Sequence, residues 1–247
     1  MKNQPPTSKV WDDALLANPH AVSDKRRRVQ RMFAAIAPSY DVNNRLHSLW
    51  MDQSWRRRAV RLANVQPTDT VVDIACGTGD LALAFHRGGA ATVLGIDFTF
   101  EMLPLAVGKS QEVRYVNGDA QALPLPDVCC DVISIAFGIR NVADPSAALR
   151  EFHRVLRPGG RLIVLEFALP THPLLRGLYN FYFKQVLPRT ATLISGDKTG
   201  AYRYLPRSVS TFLEPDQMAI MIRGAGFSDV LAHRMTFGIC VCYGGIK

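Results

Sequence analysis

The sequence predicts a doubly wound α/β fold, a parallel sheet with helices on both faces. Three observations carry this. Residues 70–75 (TVVDIA) are a short, β-branched, nearly all-apolar run, which suits a strand buried on both faces. That run leads into the turn Gly77-Thr78-Gly79, and a helical stretch opens at Asp80. From there to Phe167, strand-like and helix-like segments alternate, the mark of right-handed βαβ units.

Residues 1–24 carry three prolines and little periodicity, and are expected to be a mobile leader. Residues 25–64 are expected to form an N-terminal helical cap. Val29, Met32, Phe33 and Ile36 fall at helical spacing until Pro38 breaks the run. A second cap helix is expected over residues 49–63, with Arg56, Arg57, Arg58 and Arg61 on it. Residues 65–247 then make the Rossmann-like domain. Its strands are placed at 70–75, 92–97, 113–117, 131–137 and 160–167, and its helices at 80–86, 101–109 and 145–156. After Pro170 the pattern loosens into a helical insertion near 171–212. A helix is expected at 174–186 and a loop at 206–214. A helix at 215–225 and two strands at 227–235 and 239–244, paired antiparallel, close the chain.

Composition narrows the function. The chain has 247 residues, 48% apolar and 20% charged, which is globular rather than disordered. No apolar run approaches the ~18 residues that a spanning helix needs. The N-terminus lacks the apolar core of a secretory signal, so a cytoplasmic location is expected, with peripheral contact at the inner face of the membrane. Net charge is +8, but it is unevenly placed. Residues 24–61 hold ten basic and three acidic side chains, residues 70–168 eight and eleven, and residues 169–247 nine and four. The sheet region is therefore acidic, and the positive excess flanks it. Five cysteines occur without a Cys-x-x-Cys pair, which argues for reduced thiols and no metal site.

The segment Val72–Asp80 (VDIACGTGD) names the cofactor class. Gly77 and Gly79 let the backbone turn tightly beside a ligand, with Asp73 just upstream. The third glycine of a dinucleotide fingerprint is missing, and Asp80 stands where a pyrophosphate would dock. Asp97 ends the second strand, where a carboxylate accepts from ribose hydroxyls. The pair Asp119-Ala120 follows the third strand, and Asp119 suits an adenine amino group. An adenosine site that disfavours phosphate and tolerates positive charge fits S-adenosyl-L-methionine. A class I S-adenosylmethionine-dependent methyltransferase fold with an N-terminal helical cap follows. A nucleic-acid methyltransferase is disfavoured by the acidic core and by the lack of an Asp/Asn-Pro-Pro-aromatic tetrapeptide or a Pro-Cys pair.

Further motifs are more specific. They are Ala122-Leu123-Pro124-Leu125-Pro126-Asp127, Phe137-Gly138-Ile139-Arg140-Asn141, Arg157-Pro158-Gly159-Gly160, Leu165-Glu166-Phe167 and Tyr202-Arg203-Tyr204-Leu205. With them, from about Met32 to the end, the chain resembles the UbiE/MenG/Coq5 family of quinone-biosynthesis C-methyltransferases. The Phe-Gly-Ile-Arg-Asn segment discriminates. Tyr40-Asp41, Asn44, Ser48 and Trp55-Arg56-Arg57 also match. Asn43, His47, Asp52, Ala136 and Ala168 depart from the pattern, Asp52 standing where a histidine is usual.

The resemblance implies methylation of a polyprenylated quinol ring in menaquinone or ubiquinone synthesis, with demethylmenaquinol favoured. It carries cofactor contacts to Thr78, Asp97, Asp119 and Ala120. The quinol carbon needs its neighbouring hydroxyl deprotonated, so phenolate charge must be stabilised. Arg140 is the expected donor to a ring oxygen, through two N–H groups, and Asn141 the expected holder of the other oxygen. An ion pair of Arg140 with Asp144 is the structural alternative. Tyr40 and Asp41 are expected to close as a lid, or Tyr40 packs the cap onto the sheet. His153 and His172 are possible bases without an evident partner. Leu174, Leu175, Leu178, Phe181, Tyr182 and Val186 form an apolar stripe that suits a prenyl channel, a bilayer surface, core packing or a homodimer contact. The runs at Arg26–Arg28 and Arg56–Arg58 suit anionic lipid.

Overall fold

A computed structural model describes residues 10–247. Seven strands form, β1 (Thr70–Ile74), β2 (Thr92–Asp97), β3 (Arg114–Asn117), β4 (Cys130–Ala136), β5 (Leu156–Phe167), β6 (Ser228–Met235) and β7 (Cys240–Ile246). They form one sheet in the order β3-β2-β1-β4-β5-β7-β6. Neighbours among β1 to β5 pair parallel, and β7 runs antiparallel to both β5 and β6. The order reverses at β1, which opens a crevice beyond the C-terminal strand ends, where such sheets bind ligands.

The N-terminal part holds α1 (Asp13–Ala17), α2 (Lys25–Ile36), α3 (Tyr40–Ser48) and α4 (Met51–Ala63). Then come α5 (Asp80–Arg87), α6 (Leu103–Lys109) and α7 (Pro145–Val155) between the strands. α8 (Pro173–Phe181), α9 (Leu187–Ser195) and α10 (Ala201–Ser210) form the insertion, and α11 (Pro215–Gly224) precedes β6. A single π-type turn, Tyr182–Val186, joins α8 to α9.

Alternation along β4 sorts the core into two layers. Ile133 and Ile135 pack with Leu149 and Phe152 of α7 and Ile222 of α11. Val132 faces the other way, toward Trp55 and Ala59 of α4 and Phe85 of α5. A third cluster joins cap to insertion through Trp11, Met32, Ile36, Tyr179, Phe183 and Tyr204.

Three expectations change. The described part of the leader is packed onto the insertion: Trp11 is fully buried, its ring 4.5 Å from that of Tyr204, and its backbone N–H donates to Thr199 O. Residues 1–9 of that leader lie outside the described residues. A helix, α3, fills residues 40–48, where none was expected. The loop expected from residue 206 begins as helix, since Pro206 sits inside α10. Pro206 lacks the N–H that would reach back to the carbonyl of Tyr202, and its ring crowds that carbonyl.

The α3–α4 corner is strained. Leu49 and Trp50 both adopt left-handed backbone, at φ 51° and 63°, a conformation that costs a non-glycine residue about 1–2 kcal/mol. Both side chains face solvent, at 76% and 64% exposure.

Candidate active site

The crevice at the strand ends holds an open cavity, walled by residues that include Gly77, Asp97, Phe98, Asp119, Ala120 and Tyr40. Asp97 organises its floor. One carboxylate oxygen accepts the Gly77 N–H at 2.7 Å and the other accepts the Thr99 N–H at 2.7 Å. Burial pushes its carboxyl up to about 6. Gly77, at φ +54°, turns the backbone toward Tyr40, and a Cβ there would lie 3.9 Å from that ring. Asp119 pairs with Arg26 of α2 at 2.7 Å, and the same guanidinium lies 4.5 Å over the Phe98 ring. Arg26 thus joins Asp119 to Phe98 on the cavity wall, a contact that sequence spacing could not reveal.

Three expected cofactor residues are not in the cavity wall. Gly79 makes the turn at φ +81°, packed against the Tyr115 hydroxyl. Thr78 donates to Asp41 at 2.6 Å and accepts from Lys109 at 2.9 Å. Lys109 also bridges Asp41 at 2.6 Å and Asp80 at 2.5 Å, and Arg45 reaches Asp80 at 3.3 Å. The Asp80 charge, which the sequence leaves free to repel phosphate, is therefore compensated. Although burial opposes ionisation, Arg56, Lys109 and Arg45 hold its carboxyl below the usual range. This network ties α3 of the cap to the glycine turn, the contact that the expected Tyr40–Asp41 lid requires.

Asp73 lies beneath the turn, 1% exposed. One oxygen accepts from Ser134 Oγ at 2.7 Å, while Oδ2 has no partner among the described residues. Burial pushes its carboxyl up to about 7. Between the unfolded value near 4 and 7, the native state binds the extra proton, so this group's contribution to stability falls as pH rises. Asp73→Asn removes the titration. Relative to wild type, the variant should gain about 3 kcal/mol, or roughly 5–10 °C in Tm, between pH 5 and pH 8. Parallel Tm curves across that range would show that Asp73 does not titrate there.

A second cavity adjoins the first, sharing Phe33, Tyr40 and Phe137 as walls, and adds Asp52, Arg56 and Arg140 among others. Arg140 is 4% exposed, and Nη1 is committed to Glu166 Oε1 and to Phe137 O, each at 2.7 Å. The alternative partner Asp144 instead caps α7, accepting the Ala147 N–H at 3.0 Å. Asn141 lines the first cavity, not the second. Its amide donates to Phe137 O at 3.1 Å and accepts from the Tyr204 hydroxyl at 2.9 Å. Asn141 keeps one N–H, but on the first cavity; on the wall of the second, the unused N–H groups are those of Arg140. Tyr40 stands on the boundary of the two cavities, and burial raises its phenol. His153 packs edge-on against Phe227, and neither it nor His172 lines a cavity described here.

A third cavity shares Asn44, Ser48, Phe167, Tyr202 and Leu205 with the second. Its wall is aromatic and aliphatic, from Trp55, Tyr179, Tyr182, Phe183, Leu187 and Ile239. The expected apolar stripe is corrected in phase. Tyr179, Phe183 and Leu187 face inward, while Leu174, Leu178 and Phe181 are exposed. In the basic run Arg26–Arg28, Arg26 and Arg27 are exposed, and the residues around them make specific contacts. Lys25 is buried, donating to Arg140 O and Val142 O at 2.8 and 2.7 Å, and Arg28 pairs with Asp24 at 2.6 Å. Five cysteines are free thiols.

A profile of the ubiE/COQ5 methyltransferase family matches residues 21–247. The chain belongs to that family. It is 48% identical over 219 residues to a demethylmenaquinone methyltransferase of Thermus thermophilus, covering 87% of this chain and 99% of that one. It is 42% identical to a ubiquinone/menaquinone biosynthesis C-methyltransferase of Geotalea daltonii, covering 92% and 99%. Among solved structures, a SAM-dependent methyltransferase of Thermotoga maritima superposes with a TM-score of 0.63 at 20% identity, covering 89% of this chain and 99% of that one. A putative methyltransferase of Haloferax volcanii, in complex with its activator, gives 0.62 at 19%, covering 87% and 96%. Those two establish the class I methyltransferase fold.

The chain is a methyltransferase dependent on S-adenosyl-L-methionine, which supplies an electrophilic methyl on a sulfonium. The first cavity fits that donor. Both Asp97 oxygens keep a lone pair that a ribose diol could use, and Asp119 and Phe98 line the same cavity, an acceptor and a ring that would suit an adenine. The second cavity adjoins the first across the wall of Tyr40 and Phe137.

Proposed function

We propose that the enzyme C-methylates a polyprenylated quinol, with demethylmenaquinol the favoured substrate and menaquinol the product. One observation carries the reading. Three cavities adjoin in series, one carboxylate-lined, one with two buried guanidiniums, and one apolar and aromatic. A donor, a ring with two oxygens and a long hydrocarbon tail call for that sequence of environments. The names of the Thermus thermophilus and Geotalea daltonii relatives support the same substrate class.

In this reading, Arg140 presents its uncommitted N–H groups to one ring oxygen and offsets phenolate charge. Asn141 fixes the loop that carries it. Tyr40 walls ring from donor and keeps the two aligned, a contribution worth several kcal/mol when geometry is tight. Asp97, Asp119 and Ala120 hold adenosine, and Gly77, Thr78 and Gly79 set the turn, with Asp73 beneath it.

The tail leads toward a surface where Leu46, Leu49, Trp50, Leu193 and Leu178 are all more than half exposed. No helix of the described residues is long and apolar enough to cross a membrane. Peripheral contact with an anionic inner membrane face suits this patch together with the exposed Arg57, Arg58 and Arg61. The test is transfer of labelled methyl to demethylmenaquinol, to a demethylated benzoquinol and to tRNA, under anaerobic conditions. Label in the naphthoquinol at least tenfold above the others is expected. Label in tRNA alone would overturn the reading.

A further inference from the structure

We propose that Asp52 is a catalytic residue, the proton acceptor for the quinol hydroxyl beside the reacting carbon, with Arg56 as its positioning partner. This rests on the quinol reading above and assigns a role within the same site.

The argument is one of elimination, then geometry. The titratable groups on the wall of the middle cavity are Tyr40, Tyr202, Tyr204, Arg56, Arg140 and Asp52. Burial raises all three phenols, which therefore stay protonated and are poor acceptors at neutral pH. A guanidinium has no acceptor site. Glu166 is not on the wall. It lies behind Arg140 and also accepts the Phe167 N–H at 2.8 Å. Among the described residues, the Asp52 carboxylate is the remaining proton acceptor on that wall.

Its surroundings suit the task. Asp52 is 4% exposed, in the first turn of α4. Oδ2 accepts from Arg56 Nη1 at 2.6 Å and from Gln53 Nε2 at 2.9 Å. Oδ1 accepts the side-chain hydrogen bond of Ser48 Oγ at 2.9 Å, which leaves it a lone pair for a hydroxyl. The Arg56 guanidinium lies 5.6 Å over the ring of Phe137, which walls both the donor cavity and the middle cavity. The pair therefore stands at the boundary across which the methyl moves.

The step balances. The quinol O–H breaks and its proton moves to Asp52 Oδ1. The oxygen's electron pair shifts into the ring, and the adjacent ring carbon forms its bond to the methyl. The S–CH3 pair stays with sulfur, which leaves as a neutral thioether. The methylated carbon then loses its own hydrogen as a proton to solvent, and Asp52 returns its proton to the oxygen. A carboxylate is a far weaker base than a phenolate. It suffices because the hydroxyl becomes strongly acidic as the new carbon–carbon bond forms, so the proton moves late.

The test compares wild type, D52N, D52E and the double variant D52N/R56Q, which leaves no unpaired Arg56 charge. Rates are taken from pH 5.5 to 9.5 with demethylmenaquinol and with a naphthoquinol chlorinated away from the reacting carbon, whose hydroxyls are more acidic. D52N should lose at least ~100-fold in kcat, with donor affinity unchanged. Its residual rate should climb with pH, D52E should recover part of it, and its deficit should shrink at least fivefold on the chlorinated quinol. If D52N does not fold, D52N/R56Q is held to the same criteria. A rate within threefold of wild type overturns the proposal. So does a deficit that is flat in pH and equal for both quinols, the signature of a structural partner of Arg56. A wild type inactive on both quinols overturns the quinol reading itself, and this assignment with it.

Discussion

Asp97→Ala is expected to weaken binding of S-adenosyl-L-methionine at least 100-fold and to lower Tm by roughly 5–15 °C. The two effects have separate origins. The carboxylate accepts the N–H groups of Gly77 and Thr99, at 2.7 Å each, and so pins the glycine turn to the end of β2. Without it, both donors are left unmet in a site where Asp97 itself is 7% exposed. Each unmet buried donor costs about 1–3 kcal/mol. The same oxygens face the donor cavity, where hydrogen bonds from a ribose diol to a carboxylate contribute about 1.5–3 kcal/mol each. Two of them account for the 100-fold loss, since each factor of ten is about 1.4 kcal/mol. Calorimetric titration and thermal unfolding on one preparation separate the effects. An unchanged Kd would remove Asp97 from the donor site.

Arg140→Ala should destabilise the fold by about 3–5 kcal/mol as well as abolish transfer, because it strands Glu166 in the core. Glu166 is 2% exposed and its partner 4%. The guanidinium also ties Phe137 O, and Lys25 ties the Arg140 carbonyl at 2.8 Å, so strand end, loop and cap meet at this residue. A simple loss of turnover therefore proves nothing about chemistry. The double variant Arg140→Met with Glu166→Leu strands no charge and should recover most of the Tm. It should remain at least 100-fold slow, as the ring oxygen loses its donor. Full activity in that variant would make Arg140 purely structural.

The fold was legible because the central strands are buried on both faces, and burial writes itself as runs such as Val71–Val72 and Val132–Ile135. Turn glycines and strand-end acids are local signals as well. The helix of residues 40–48 was hidden by its polar, asparagine-rich sequence just after Pro38, and α10 by Pro206. Tertiary packing holds both, and single-segment propensity does not report it. The site was legible only as a set of residue types. Arg140 and Glu166 are 26 positions apart, and Thr78 and Asp41 are 37 apart. Such pairings exist only once the sheet order and the cap position are set. Asp52 was visible as a departure from a pattern, but its place on the wall of a cavity was not.

The corner at Leu49 and Trp50 has a practical side. The chain has three tryptophans, and two of them, Trp11 and Trp55, are at most 4% exposed, while Trp50 is 64% exposed. Collisional quenchers dissolved in water reach the indole of Trp50 and not the other two. The long-wavelength part of the intrinsic fluorescence therefore belongs to one residue, between Leu49 and Met51 of the apolar cavity's wall. Native protein carries its own optical reporter there, with no label to perturb the corner. Its emission follows what covers that corner, whether solvent, a hydrocarbon chain or a lipid headgroup layer.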